Sequence, residues 1–184
     1  MTERTATIED VLAFWREAGP DRWFAKDEAF DAVCRERFLL THEAAARNDL
    51  NEWELTGDGA LALCLLLDQF PRNMFRGTRR AYRTDAAAVM VADRAIERGH
   101  DKAVDPALRR FFYLPFMHSE ELADQERSVA LNEALGDEDS IKWARHHRDI
   151  VARFGRFPHR NSILGRESTP EEEAFLAEEA AFRG

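Results

Sequence analysis

Several features that would point to a function are missing from this chain. Only two cysteines occur, Cys34 and Cys64, each among apolar neighbours. They form no C-x-x-C pair and have no second ligand pair nearby, so neither a zinc site nor a thiol redox motif is supported, and two buried free thiols are expected. Met1–Asp10 lacks a basic segment followed by an apolar one, which argues against a secretory leader. The longest apolar run, Ala60–Leu67, falls far short of the roughly 20 residues a membrane span needs. The expected setting is therefore a reducing cytoplasm, without a membrane role. A basic excess is missing too. The 26 Lys and Arg are outnumbered by 35 Asp and Glu, and a net charge of −9 argues against binding to a nucleic-acid backbone. No H-E-x-x-H, G-x-S-x-G or Walker loop appears, and no metal or cofactor is expected. β-branched residues are scarce and no stretch alternates with a period of two, which leaves no strand to predict.

What remains reads as helix, with 45% hydrophobic residues to build a core. Thr7 caps a helix with Asp10 three residues on, and Gly19-Pro20 stops it. Trp23 and Phe24 are expected to pack back on the core. Asp27 opens a second helix, with Phe30, Val33, Cys34 and Phe38 as its stripe, running to about Arg47. Ala60–Phe70 is apolar nearly all round, as a central helix is, and Pro71 should end or bend it. Thr84 or Asp85 starts a fourth helix that closes at Gly99. Asp105-Pro106 is a further start signal, and Pro115 an interruption. Ser119 is expected to cap a helix with Glu120 and Glu121 in its first turn and Leu122, Val129, Ala130 and Leu135 as its core stripe. Asp139 or Ser140 starts the next, ending at Gly155 with Trp143 on a core line. Thr169-Pro170-Glu171-Glu172 makes a capping box for the last. The fold class is all-α, with antiparallel helix pairs packed side by side in one compact domain over residues 1–184.

Two polar stretches echo each other, D-Q-F-P-R-N-M-F-R-G at Asp68–Gly77 and G-R-F-P-H-R-N-S-I-L-G at Gly155–Gly165. They suggest a weak two-half pseudo-repeat. In the first, Asp68 and Arg72 lie four apart, with Asn73 adjacent and Arg76 four further on. Charges beside so apolar a helix must be paired. This stretch reads either as a hydrogen-bonded helix end or as a pocket wall in which Arg72 or Arg76 receives an anion. The second offers Arg156, His159, Arg160 and Asn161, with His146, His147 and Arg148 upstream. It reads as a solvated basic face or as an anion site. Arg145 and Asp149, four apart, are expected to pair, whereas Arg148 and Asp149 do not share a face. His118, just before the Ser119 cap, could face one way with Glu121 and Gln125 or Asp124 and serve acid–base work or hold a divalent metal, although a plain helix start with an acidic first turn is the favoured reading. At an anion site Asp68 or Glu120 would orient or deprotonate the ligand.

These motifs, with F-F-Y-L-P-F-M-H-S-E, L-A-D-Q-E-R-S-V and R-H-H-R-D-I-V, resemble those of domain-of-unknown-function family 924 from about Ile8 to Phe175. The resemblance implies a tetratricopeptide-like, right-handed helical array of stacked pairs. It brings no activity, cofactor or catalytic residue with it. Two functions follow as expectations. One is a helical-repeat scaffold for a peptide or protein partner. The alternative is an anionic-ligand binding protein or an enzyme, with a site where Asp68, Arg72, Asn73, Arg76, His118, Glu120, Arg148, Arg156, His159, Arg160 and Asn161 converge.

Overall fold

Local chemistry sets the helix ends. The Asp10 amide donates to the Thr7 hydroxyl at 3.2 Å and the Thr7 amide donates to the Asp10 carboxylate at 2.9 Å, which opens the helix Ile8–Ala18. Asp27 accepts from the amides of Ala29 and Phe30 to start Glu28–Ala46. That helix closes with Asn48 in the left-handed region, where the Asn48 amide reaches the Ala45 carbonyl and the Asp49 amide the Ala44 carbonyl. The structure, a computed structural model, describes residues 5–178, so residues 1–4 of the Met1–Asp10 stretch and residues 179–184 lie outside it. Among the described residues every regular element is helical, so the protein is all-α. No helix among them is long and apolar enough to cross a membrane.

The chain divides into two compact units, Met1–Arg76 with Arg80–Pro115, and Gly77–Arg79 with Phe116–Gly184. The first is built around the segment that starts at Gly57. Gly57–Cys64 is helical, buried on nearly every side, and approaches the 3₁₀ turn Asn51–Leu55 closely. A methyl group on Gly59 would lie 2.1 Å from the Trp53 carbonyl oxygen, so only glycine permits that approach. The helix then widens into a π turn, Leu65–Gln69, and resumes as Phe70–Met74. Pro71 therefore does not end it. The Phe70 amide bonds five residues back, to Leu65. Pro71 has no amide proton for the next two carbonyls, those of Leu66 and Leu67. His42 Nδ1 takes the first at 2.8 Å and the Thr84 hydroxyl donates to the second at 2.6 Å. Thr84 thus spends its side chain on the π turn and makes no cap bond to Asp85–Glu97. Around this segment Trp15, Phe38, Phe70 and Phe111 are fully buried, with Phe38 and Phe70 stacked at 4.7 Å. Trp23 is buried and donates to the Trp15 carbonyl, but Phe24 is 60% exposed, contrary to the expectation that both pack inward. Asp105-Pro106 starts no helix. Arg109–Phe112 is a 3₁₀ turn, and Pro115 sits near the start of the helix Leu114–His118, where a missing amide proton costs nothing.

The second unit holds the helices Leu122–Leu135 and Glu138–Phe154, joined by left-handed Gly136 and by Asp137 and packed as an antiparallel pair. Asp137, not Asp139 or Ser140, caps the second of them. Glu121, not Ser119, stands at the cap position of the first. The Ser119 hydroxyl accepts from the Glu121 amide and donates to Asp124, so Glu120 lies outside the helix. The expected apolar stripe is also revised. This helix buries Gln125, Ser128, Val129 and Asn132, while Leu122 and Ala130 face out. Buried polar groups must be bonded. Asn132 donates to the Ser128 carbonyl, and the Gln125 amide nitrogen donates to the carbonyls of Met117 and Ser119. The Thr169 capping box forms as expected, and Phe175 packs on Phe154 at 5.1 Å.

Candidate functional site

The π turn delivers Asp68 into the first unit almost without exposure, at 1%. Arg72, one turn on, lies 3.0 Å from the Asp68 carboxylate and makes a two-pronged pair with Asp85 at 3.0 and 3.1 Å. Gln69 donates to Asp68 at 2.5 Å. Burial would lower the Arg72 pKa, but Asp68 and Asp85 outweigh it and hold the guanidinium charged. Asn73 and Arg76 both turn to Asp31, on the Glu28–Ala46 helix. The Asn73 amide donates at 2.9 Å and the Arg76 guanidinium at 2.8 and 3.0 Å. In this unit the D-Q-F-P-R-N stretch is thus bonded to two carboxylates, Asp31 and Asp85, that the sequence reading did not single out. Both sit at helix positions with ordinary surface-like spacing.

The second unit holds a network of its own. Glu120 receives both arms of Arg166, at 2.7 and 2.9 Å, and the Phe157 amide at 2.8 Å. Burial raises its pKa, and these donors together bring it below the ordinary carboxylate range. Arg156 pairs two-pronged with Glu172 at 2.7 and 2.8 Å, and Asn161 donates to Glu172 at 3.1 Å. The Arg156 hydrogen bonds are the main reason the Glu172 pKa falls to about 2. Arg160 donates to the His118 carbonyl at 2.9 Å and lies over the Phe157 ring. His147 packs edge-on against Phe157 at 5.6 Å, and His118 lies 6.4 Å from His147, between ring centres. Burial is the chief cause that lowers His147 to about 3 and His159 to about 4. Arg166 and His147 were missed as site residues. Arg166 follows the motif by five residues and looks like a loop cation, and His147 reads as one of a helical His pair.

A family model described as bacterial protein of unknown function, DUF924, matches residues 11–180. The chain belongs to that family. A solved structure of a protein of unknown function from Agrobacterium tumefaciens is 55% identical, with a TM-score of 0.90, over 92% of this chain and 96% of that one. Among curated proteins no match is found.

The candidate residues thus fall into two groups. Asp68, Arg72, Asn73 and Arg76 belong to the first unit, and His118, Glu120, Arg148, Arg156, His159, Arg160 and Asn161 to the second. Arg148 bonds to Asp149 at 2.6 Å, and Arg145 to Glu133 instead of Asp149. The long arginine stem folds back to its neighbour, which the rule for helix faces does not capture. Among the described residues no group of three or more His, Cys, Asp or Glu side chains is arranged to hold a metal ion. A shallow, open groove of about 480 Å³ lies in the first unit, between the start of the Ile8–Ala18 helix and the Asn51–Leu55 turn, with Ile8, Leu50 and Trp53 in its wall beside the polar Thr5, Thr7 and Glu9.

Proposed function

We propose that the protein is a cytoplasmic helical scaffold that holds a segment of a peptide or protein partner. The groove bounded by Ile8, Leu50 and Trp53 carries this reading. An apolar wall beside extended, non-helical backbone at Thr5–Thr7 suits one large apolar anchor side chain of an incoming chain. The polar stretches support it from the other side. Arg72, Arg76, Arg156 and Arg166 each hold a carboxylate of their own unit, which is what a rigid framework requires. The test is recovery from a native lysate by the wild type and by Leu50→Glu, which places a charge in the groove wall. A stoichiometric partner retained by the wild type and lost by the variant is expected. The same partner with both proteins, or none in several growth states, overturns the reading.

The neutral imidazoles beside Arg160 favour a second reading, a site for an anionic small molecule in the second unit. It predicts thermal stabilisation by phosphate or citrate that grows with concentration and is lost in Arg160→Gln.

A further inference from the structure

In the second unit a group of imidazoles gathers around Phe157, beside the apolar cluster that Phe157 forms with Ile150 and Val151. His147 is buried on the Glu138–Phe154 helix, and its Nδ1 lies 2.8 Å from the Trp143 carbonyl. A carbonyl only accepts, so Nδ1 carries the proton and Nε2 is the basic atom. Around it stand His118 from the end of Leu114–His118, at 6.4 Å, His146 from its own helix, at 6.1 Å, and Phe157, at 5.6 Å. His159, from the 3₁₀ turn Pro158–Arg160, packs on Phe157 at 5.5 Å and faces Arg160, Glu120, His118 and Arg166. The Leu122–Leu135 helix, packed along the same side, buries uncharged Gln125, Ser128, Val129 and Asn132. Glu120, which acts on His159 from nearby, is already held by Arg166 and the Phe157 amide. Charge added to His147, which is buried, or to His159, which is half-buried, therefore meets guanidinium and imidazole neighbours.

We propose that this cluster is a proton-operated latch: proton uptake by His147 and His159 releases the Phe157–Asn161 turn from the helices Leu114–His118 and Glu138–Phe154, so the second unit opens on mild acidification. Both imidazoles sit well below the ordinary histidine value, at about 3 and about 4. Only the opened state binds these protons, so closure is fully present above the ordinary value and is lost as pH falls through that value toward 4. The window above pH 5 precedes protonation of Glu120 and Glu172, both lowered in the closed unit. The first unit contains one comparable group, His42, and responds by at most one proton.

Hydrogen exchange of the full chain, corrected for the pH dependence of intrinsic exchange, reads the opening constant of each unit. Between pH 6 and 5 that constant should rise about 50-fold for residues 138–161, one factor of about 7 for each proton taken up by an imidazole of ordinary value about 6.5. His147→Gln and His159→Gln should each cut the rise to about 7-fold. Unchanged slopes in both variants, or equal protection at pH 7 and pH 5 in the wild type, overturn the proposal. If either variant fails to fold, NMR titration of the wild-type imidazoles decides it. Ring signals of His147 and His159 that titrate near the ordinary histidine value overturn it, and signals that stay neutral to below pH 5 uphold it.

Discussion

One guanidinium at Arg72 serves three acceptors: the Asp68 carboxylate, the Asp68 carbonyl and Asp85. Its partner Asp68 is almost wholly enclosed, so removing the arginine leaves a carboxylate in a medium that solvates it poorly. Arg72→Ala should destabilise the first unit by about 3 kcal/mol, read from the urea midpoint at constant slope. A loss under about 1 kcal/mol would show that water or rearranged neighbours replace the pair. This much was legible from spacing alone, because Asp68 and Arg72 stand four apart next to a run of leucines. The other partners were not. Asp31, Asp85, Arg166 and Glu172 lie 42, 13, 46 and 11 residues from Asn73, Arg72, Glu120 and Asn161, respectively. Nothing local in a single sequence marks a bond made by tertiary packing.

Among the elements, the π turn Leu65–Gln69 shows how one proline shapes a helix it does not terminate. Leu66 would need the residue-71 amide in π register, and Leu67 would need it in α register, and proline supplies neither. His42 and Thr84 replace the missing donor from two different helix ends. Thr84→Val keeps the shape and deletes the hydroxyl, leaving the Leu67 carbonyl buried without that donor. It should cost about 1–2 kcal/mol in a denaturant melt, whereas Thr84→Ser should cost less because its hydroxyl is retained. Equal losses in both would assign the effect to packing of the methyl group. Capping signals predicted the helices opening at Thr7, Asp27 and Thr169, since a cap is local chemistry. The same signals misplaced the starts near Ser119 and Ser140. There Glu121 and Asp137 were competing polar residues within three positions, and the turn geometry chose between them. The buried polar face of Leu122–Leu135 was out of reach for a related reason. Periodicity locates an apolar stripe, whereas Gln125 and Asn132 are buried with the backbone carbonyls they reach, and Ser128 with the side-chain amide of Asn132 that bonds it.

For the molecule as a whole, the distribution of probes allows the two units to be followed separately in one chain. Cys34 and Cys64 both belong to the first unit and are fully buried, while Trp143 belongs to the second and is 48% exposed. Burial is the main cause that raises the Cys34 thiol to about 12, with Asp31 adding to it, and burial likewise carries Cys64 well above its ordinary value. At pH 8 an ordinary cysteine is thiolate to roughly a fifth, and a thiol at about 12 to roughly one part in ten thousand. Because a more basic thiolate is also more nucleophilic, direct attack on a disulfide reagent by the closed first unit should be slower by about two orders of magnitude than that of a free thiol, before steric access is counted. Labelling then proceeds through opening, and its rate reports the free energy of that opening. Cys34 lies on Glu28–Ala46 and Cys64 on Gly57–Cys64, two helices that face the same aromatic core, so they should label within about twofold of each other, as one cooperative unit requires. A Cys34 rate tenfold or more above that of Cys64, measured by mass spectrometry of quenched samples, would show that the Glu28–Ala46 helix frays independently. Amide exchange of the Glu138–Phe154 helix under the same conditions places the opening of the second unit on the same time axis.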